Sequence, residues 1–291
     1  VQNHKNVKFN FCINLQEYFE SIDWYKLPCQ NISEFSNILQ QKISRIRNVS
    51  RDINIDIDLK YSDDPFYNIA DYRRDLNNRY CKLVDYVLWG ETDSLWPKET
   101  LEIIDFVSAQ VNQPKHIITF AYRKNWDNSW DKLTHPLFKS ISYQEDEVLT
   151  AEYSEKSYMS LGRMNEINKN IYDRHLDIEI FSKPKFDGSC LVISTELIKS
   201  GIIPHSLLLA GEDTSFAYMC ERVLGDEYIQ YHIRDVLRVH NRRHPKKRMY
   251  IRNENNPHGF CDDRKGNWWL ELSDKSKFNL ENLFKQIKFK K

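Results

Sequence analysis

The sequence has little glycine, no net charge and no long apolar run. Only 8 of its 291 residues are glycine, and this scarcity predicts few flexible linkers. The 42 basic side chains balance the 42 acidic ones, which argues against electrostatic binding of nucleic acid by the protein surface as a whole. No stretch of about 18 apolar residues is present, so no transmembrane helix is predicted. The six cysteines include no CxxC pair, which predicts a reduced compartment and no zinc site.

What is present is typical of a soluble globular protein of α/β class. Hydrophobic residues make up 41% and charged residues 29% of the chain, which is ample for a full core. Strand-like and helical patterns alternate over the first hundred residues, and this predicts a mainly parallel central sheet flanked by helices. Strands are predicted at residues 7–14, 53–58, 84–89, 117–122, 190–194, 228–233 and 236–240, and helices at residues 34–43, 68–83, 98–107, 196–198 and 214–224.

A first acidic pair follows the apolar strand predicted at residues 84–89. Glu91 and Asp93 come directly after Gly90, and Pro97 then opens a helical pattern. Residues two apart in an extended segment point to the same side, so both carboxylates could share a hard cation such as Mg²⁺ or Mn²⁺. The alternative is an acidic turn in which Asp93 or Ser94 caps the next helix.

A second acidic pair, Glu212 and Asp213, follows the apolar residues 207–210 and begins a predicted helix. Carboxylates at that position also complement the helix dipole, which is the structural alternative. Further along, His240 precedes a basic stretch at residues 242–248 that Pro245 interrupts. The proline argues against a simple helix face and favours a loop over an anionic ligand.

Taken in order, these segments resemble the nucleotide-sugar-dependent glycosyltransferases of the GT-A fold, inverting type. The matching segments are Glu91-Thr92-Asp93, residues 186–193, Gly211-Glu212-Asp213 and His240. Glu91 stands where that family usually has aspartate. The resemblance covers residues 7–245, and it gives neither the sugar nor the acceptor.

The resemblance implies a GT-A-like, Rossmann-type sheet with an acceptor-side insertion, built by residues 1–291 as one catalytic domain. Residues 7–110 would form the nucleotide-binding half and residues 111–245 the acceptor-binding half, with residues 246–291 as a C-terminal extension. The implied reaction transfers a sugar from a nucleotide-diphosphate sugar to a glycan or other hydroxyl acceptor. The implied cofactor is Mn²⁺ or Mg²⁺.

The resemblance also implies a role for each matching residue. Glu91, Asp93 and His240 would hold the metal, Asp213 would be the general base, and Glu212 would position the acceptor or replace Asp213 as base. The implied contacts to the donor are Asn14, Asp56, Asp58, Arg73, Arg74, Arg242, Arg243 and Lys246. An exposed edge strand is the equal alternative for Asp56 and Asp58.

Three other functions remain open at this point. A sugar nucleotidyltransferase would normally carry a glycine-rich loop after its first strand, and none is present. A non-catalytic nucleotide- or glycan-binding domain would fit Glu91 in place of aspartate. A nucleic-acid-binding module disagrees with the zero net charge.

We expect no nucleic-acid partner, a cytoplasmic location, and a chain that is one domain or processed product of a larger protein. The lysine-rich residues 285–291 predict either a peripheral membrane contact or a solvated terminal helix.

Overall fold

The computed structural model describes residues 7–14, 32–49, 54–60, 69–91, 94–124, 161–169, 176–186, 188–200 and 212–240. The chain divides into two compact units, Val1–Tyr67 and Asn68–Lys291. This division falls inside the nucleotide-binding half that the sequence predicts at residues 7–110. The lysine-rich residues 285–291 lie outside the described residues.

The first unit contains a β-α-β arrangement. Strand β1 (Lys8–Asn14) and strand β2 (Asn54–Lys60) pair in parallel, and helix α1 (Ile32–Val49) connects them in sequence. Parallel neighbours need such a crossover, so the predicted β-α-β pattern is confirmed here. Helix α1 is longer than predicted, and it buries Ile43 while most of its other described side chains are exposed.

The second unit combines a six-stranded sheet with helices on its faces. Its described strands are β3 (Tyr86–Gly90), β4 (Ser94–Leu95), β5 (His116–Lys124), β6 (Ile178–Phe181), β7 (Cys190–Ser194) and β8 (Ile229–His240). Its described helices are α2 (Ile69–Tyr80), α3 (Thr100–Gln110), α4 (Leu161–Asn168), α5 (Thr195–Lys199) and α6 (Glu212–Met219). A π-helical turn, Cys220–Leu224, continues α6, and a 3₁₀ turn follows at Gly225–Glu227.

The sheet of the second unit is mixed. Its order is β3-β7-β5-β8, and β4 and β6 both pair with the remaining edge of β8. Strands β5 and β8 are parallel, whereas β7 runs antiparallel to both of its neighbours. The predicted α/β class with flanking helices is confirmed. The predicted mainly parallel sheet is wrong for the second unit, because among the described pairings β1–β2 and β5–β8 are parallel and the other four are antiparallel. All five residues of β7 are buried, as expected for a central strand covered on both faces.

Alternate residues of the strands pack into two separate cores. On one face, Trp89, Leu191 and Ile193 pack with Phe216 and Leu197. On the other face, Val192, Ile118 and Phe120 pack with Ile103, Ile104 and Val107 of α3. Successive side chains of a strand point to opposite faces, so one apolar run serves both cores. Glu91 follows β3 and Glu212 begins α6, and both elements contribute residues to the first of these cores.

Strand β8 is one strand where the sequence predicts two. The register to β5 jumps from Phe120↔Ile233 to Ala121↔Leu237, so Arg234, Asp235 and Val236 form a bulge. Beyond the bulge, β8 is fastened to α4 by Asn168. The Asn168 amide donates to Leu237 O and its oxygen accepts from Leu237 N, both at 2.8 Å. These bonds fix the end of β8 that carries His240.

The predicted helix over residues 214–224 is confirmed and extends further toward its N-terminus. Its first residue is Glu212, and it ends at Gly225, whose φ of 52° lies in the left-handed region that favours glycine. Two strands were not predicted, β4 and β6. Both are short edge strands, and two to four residues carry too little periodicity to be recognised.

Candidate functional site

Glu91 lies at the end of β3, beside the start of β7. The β3–β7 register pairs Gly90 with Cys190, which places the Gly188–Ser189 turn next to Glu91. Helix α2 covers the same strand end, because Trp89 Nε1 donates to Asn77 Oδ1 at 2.9 Å inside the core. Arg73 is four residues before Asn77 and therefore lies on the same face of the helix. This packing brings Arg73 to the end of β3.

Arg73 connects the two acidic segments. Its Nη1 donates to Glu212 Oε1, and its Nη2 donates to Glu91 Oε1 at 2.9 Å and to Gly188 O at 2.6 Å. The guanidinium lies over the Trp89 ring, with Cζ 4.8 Å from the ring centroid. Only 5% of Arg73 is exposed. Its planar fork can serve several acceptors at once, which suits a buried ion cluster.

Gly188 approaches this cluster so closely that a side chain there would require the Arg73 guanidinium to shift. A Cβ on residue 188 would overlap Arg73 Nη1 and would lie 3.0 Å from Glu212 Oε1. The Gly188 N–H donates to Asp213 Oδ2 at 3.0 Å. Gly188 therefore binds Arg73 through its carbonyl and Asp213 through its amide.

The two carboxylates at the start of α6 have different surroundings. Glu212 is buried and paired with Arg73, whereas Asp213 is half-buried. Asp213 Oδ1 also accepts from the Thr214 N–H at 2.7 Å, a backbone donor of the first helical turn. Asp213 is thus held in place by two N–H donors while part of its surface reaches solvent.

Burial raises the pKa of Glu212 to about 7. The Arg73 guanidinium acts in the opposite direction, and the nearby carboxylates of Asp213 and Glu91 raise the pKa further. Desolvation outweighs the ion pair because Glu212 lies almost wholly out of water. Glu212 is therefore partly protonated near neutral pH.

The turn after β3 leads to the end of β8. Ser94 N donates to Glu91 O at 3.0 Å, and the β4–β8 register pairs Ser94 with His240. Ser94 Oγ donates to Ser189 O at 3.2 Å, and Arg238 Nη1 donates to Ser189 Oγ. The backbones of the first acidic segment and of the His240 segment therefore meet at one edge of the sheet.

The composition of this edge fits a divalent cation in part. Carboxylate oxygens and an imidazole nitrogen are ligands that Mn²⁺ accepts. However, the Arg73 guanidinium already occupies Glu91 Oε1 and would compete with a cation there. Across the described ranges no group of three His, Cys, Asp or Glu side chains could hold a metal. Asp93 and the His240 side chain lie outside those ranges.

The other predicted site residues are distributed as follows. Arg74 pairs with Asp71 on its own helix and is 32% exposed. Asn14, Asp56 and Asp58 belong to β1 and β2 of the first unit, where the backbone alone is described and Asn10↔Asp56 and Cys12↔Asp58 are paired. The predicted residues Asp93, Arg242, Arg243 and Lys246 lie outside the described residues.

Two residues of the site, Arg238 and Asn77, were given no role from the sequence. Arg73 was predicted as a donor contact, and its described side-chain partners are the carboxylates of Glu91 and Glu212. The spacing of Arg73 and Asn77 places both on one helix face, which is the single local signal of their shared environment. Nothing local in the sequence marks Arg238, since its partner Ser189 is 49 residues away.

Searches with this chain found no significant match to any protein-family model, curated protein or solved structure. Among the helices of the described ranges, none is both long and apolar enough to cross a membrane.

Proposed function

We propose that this protein is a glycosyltransferase that moves a sugar from a nucleotide-diphosphate sugar to a hydroxyl acceptor, with inversion at the anomeric carbon. The observation that carries the proposal is the convergence of three distant segments. Arg73 binds Glu91, Glu212 and the Gly188 carbonyl, and the Gly188 amide binds Asp213. These segments are three of the four whose order resembles the GT-A glycosyltransferases, the fourth being that of His240. The mixed α/β sheet with flanking helices is compatible with that fold.

Asp213 is the better candidate for the general base. It is half-buried and fixed by two N–H donors, whereas Glu212 is buried against Arg73. In the proposed step the acceptor oxygen attacks the anomeric carbon while its proton passes to Asp213. The bond from the anomeric carbon to the diphosphate oxygen breaks, and the nucleoside diphosphate leaves with the electron pair.

A divalent cation would stabilise the charge that develops on the leaving diphosphate. Asp93 and His240 are the residues that we assign to hold it, because their chain neighbours Ser94 and Val239 lie in the β4–β8 pairing. We give Glu91 a smaller part than the sequence suggests, because the Arg73 guanidinium neutralises its carboxylate. The basic residues Arg242, Arg243 and Lys246 remain the proposed contacts to the diphosphate.

The test is calorimetric titration of UDP, GDP and CMP with and without Mn²⁺. We expect Mn²⁺-dependent binding of one nucleotide, lost in Asp93→Ala and retained in Asp105→Ala, which removes an exposed carboxylate of α3. Asp213→Asn should bind the nucleotide but release little of it from the sugar donor. Absence of nucleotide binding in the wild-type chain, with and without metal, would sink the proposal and favour a non-catalytic binding domain.

A further inference from the structure

Arg73 and Asp213 are joined through one glycine. The Gly188 carbonyl accepts from Arg73 Nη2 at 2.6 Å, and the Gly188 N–H donates to Asp213 Oδ2 at 3.0 Å. Glu212, the chain neighbour of Asp213, closes the ring by pairing with Arg73. We propose that Arg73 is a positioning residue that orients the Asp213 carboxylate through Gly188. This inference rests on the proposed function, in which Asp213 is the general base.

The surroundings of Arg73 favour positioning over contact with a donor phosphate. Its guanidinium is 5% exposed, lies over Trp89 and donates to three acceptors of the protein. A phosphate could bind it only by displacing Glu212 or Glu91. Losing one of those pairs inside the protein would leave an uncompensated buried charge.

The same guanidinium controls the charge around the base. Glu212 and Asp213 are adjacent, and Glu91 approaches from the end of β3. Three carboxylates at this edge repel each other unless a cation lies between them. Arg73 pairs with the two glutamates, which leaves Asp213 as the carboxylate that is held by backbone N–H donors alone among its described contacts.

Lysine at position 73 would retain the charge and lose the geometry. An ammonium is a point charge on a flexible stem and cannot present two fixed nitrogens to Glu212, Glu91 and Gly188 at once. Arg73→Lys therefore tests positioning with little change in net charge. Arg79→Lys is the matched control, because Arg79 is an exposed arginine of the same helix.

The experiment measures release of nucleoside diphosphate from the sugar of whichever nucleotide binds, with a panel of sugar acceptors. We expect Arg73→Lys to lower kcat by roughly 100-fold, since small misplacements of a catalytic group have effects of that size. The dissociation constant of the nucleotide should change by less than about threefold. In an Asp213→Asn background, Arg73→Lys should lower the remaining rate by less than about twofold, because both changes disable the same base.

Two results would overturn the assignment. One is a double variant in which the kcat losses of Arg73→Lys and Asp213→Asn multiply, because Arg73 would then act independently of Asp213. The other is a tenfold or greater loss of nucleotide affinity in Arg73→Lys, which would make Arg73 a donor contact. If Arg73→Lys fails to fold, Gly188→Ala is the second variant, because it displaces the guanidinium while Arg73 remains in the chain. An unchanged kcat in Gly188→Ala would also refute the positioning role of Arg73.

The failure of this inference is distinguishable from failure of the proposed function. If the wild-type chain binds no nucleotide and releases none, the transferase function and the role of Asp213 both fall. If the wild-type chain is active and the two substitutions act independently, only the role of Arg73 falls. NMR of the chain labelled at glycine adds a readout that does not depend on activity. The chain has 8 glycines, so the spectrum of glycine amides contains few signals. The Gly188 amide resonance should move in Arg73→Lys and in Asp213→Asn, but not in Arg79→Lys.

Discussion

Gly188→Ala is the substitution for which the structure makes its sharpest stability prediction. Gly188 does not have the positive φ that would itself require glycine, since Gly225 alone has one among the described residues. The requirement comes from close approach, because a Cβ would overlap Arg73 Nη1 and crowd Glu212 Oε1 at 3.0 Å. The guanidinium must then shift from the position in which Glu212, Glu91 and Trp89 contact it.

The expected loss follows from the buried ion pair. Removing one partner of a buried ion pair destabilises proteins by about 3 kcal/mol or more, and we expect displacement of the guanidinium to cost up to about 3 kcal/mol. For a unit of this size, that loss corresponds to a melting temperature lower by roughly 6 to 12 °C. Urea and thermal unfolding, followed by circular dichroism, would measure both quantities.

Gly90→Ala is the matched control, because Gly90 is the last residue of β3 and pairs with Cys190, two residues from Gly188. Its Cβ would meet Trp96 Nε1 at 3.7 Å, an ordinary contact distance. We expect the free energy of unfolding to change by less than about 0.5 kcal/mol. Equal losses in the two alanine variants, or a loss below about 1 kcal/mol in Gly188→Ala, would refute the close-packed Arg73 cluster.

Two further substitutions test the charge and the framework of the site by urea unfolding. The pKa of Glu212 is raised from 4.5 to about 7, so the native state binds more protons than the unfolded state between these values, and stability falls as pH rises through that range. The decline in the free energy of unfolding is on the order of 3 kcal/mol, and Glu212→Gln should remove it. The control Glu196→Gln changes an exposed glutamate and should retain the decline. An unchanged decline in Glu212→Gln would contradict the raised pKa of Glu212. Asn168→Ala should lower the free energy of unfolding by about 2 kcal/mol, because the Leu237 N–H and C=O lose their partners. The control is Ser108→Ala, which removes a surface hydrogen bond to Asp105 O. An Asn168→Ala variant no more destabilised than Ser108→Ala would show that Asn168 does not hold β8.

Much of the secondary structure could be predicted from the sequence because its signals are local. The apolar run at residues 190–194 is the strand β7 with unchanged bounds, and the helical spacing after residue 97 gives α3. Gly225 follows the π-helical turn that continues α6, so the helical segment ends after residue 224 as predicted. Each of these features depends on residues a few positions apart, which is the range that periodicity and capping report.

The arrangement of the sheet could not be obtained in the same way. Two separate predicted strands at residues 228–240 are one strand, because a bulge of three residues disturbs the alternation without ending the pairing. Strand β7 runs antiparallel to β3 and β5. The sequence does not show this direction, because the apolar pattern of a buried strand is the same in parallel and antiparallel pairing. The mixed sheet is therefore a result of the tertiary structure.

The candidate site shows the same division. The sequence by itself determined that two acidic pairs follow apolar segments and that a glycine-containing segment lies between them. Only the tertiary structure decided that Glu91 and Glu212 share Arg73, and that Gly188 joins this cluster to Asp213. These partners are 18 to 139 residues apart. A carboxylate in a helix cap and a carboxylate in a site look alike in sequence, because their difference is made by charges that folding brings from elsewhere in the chain.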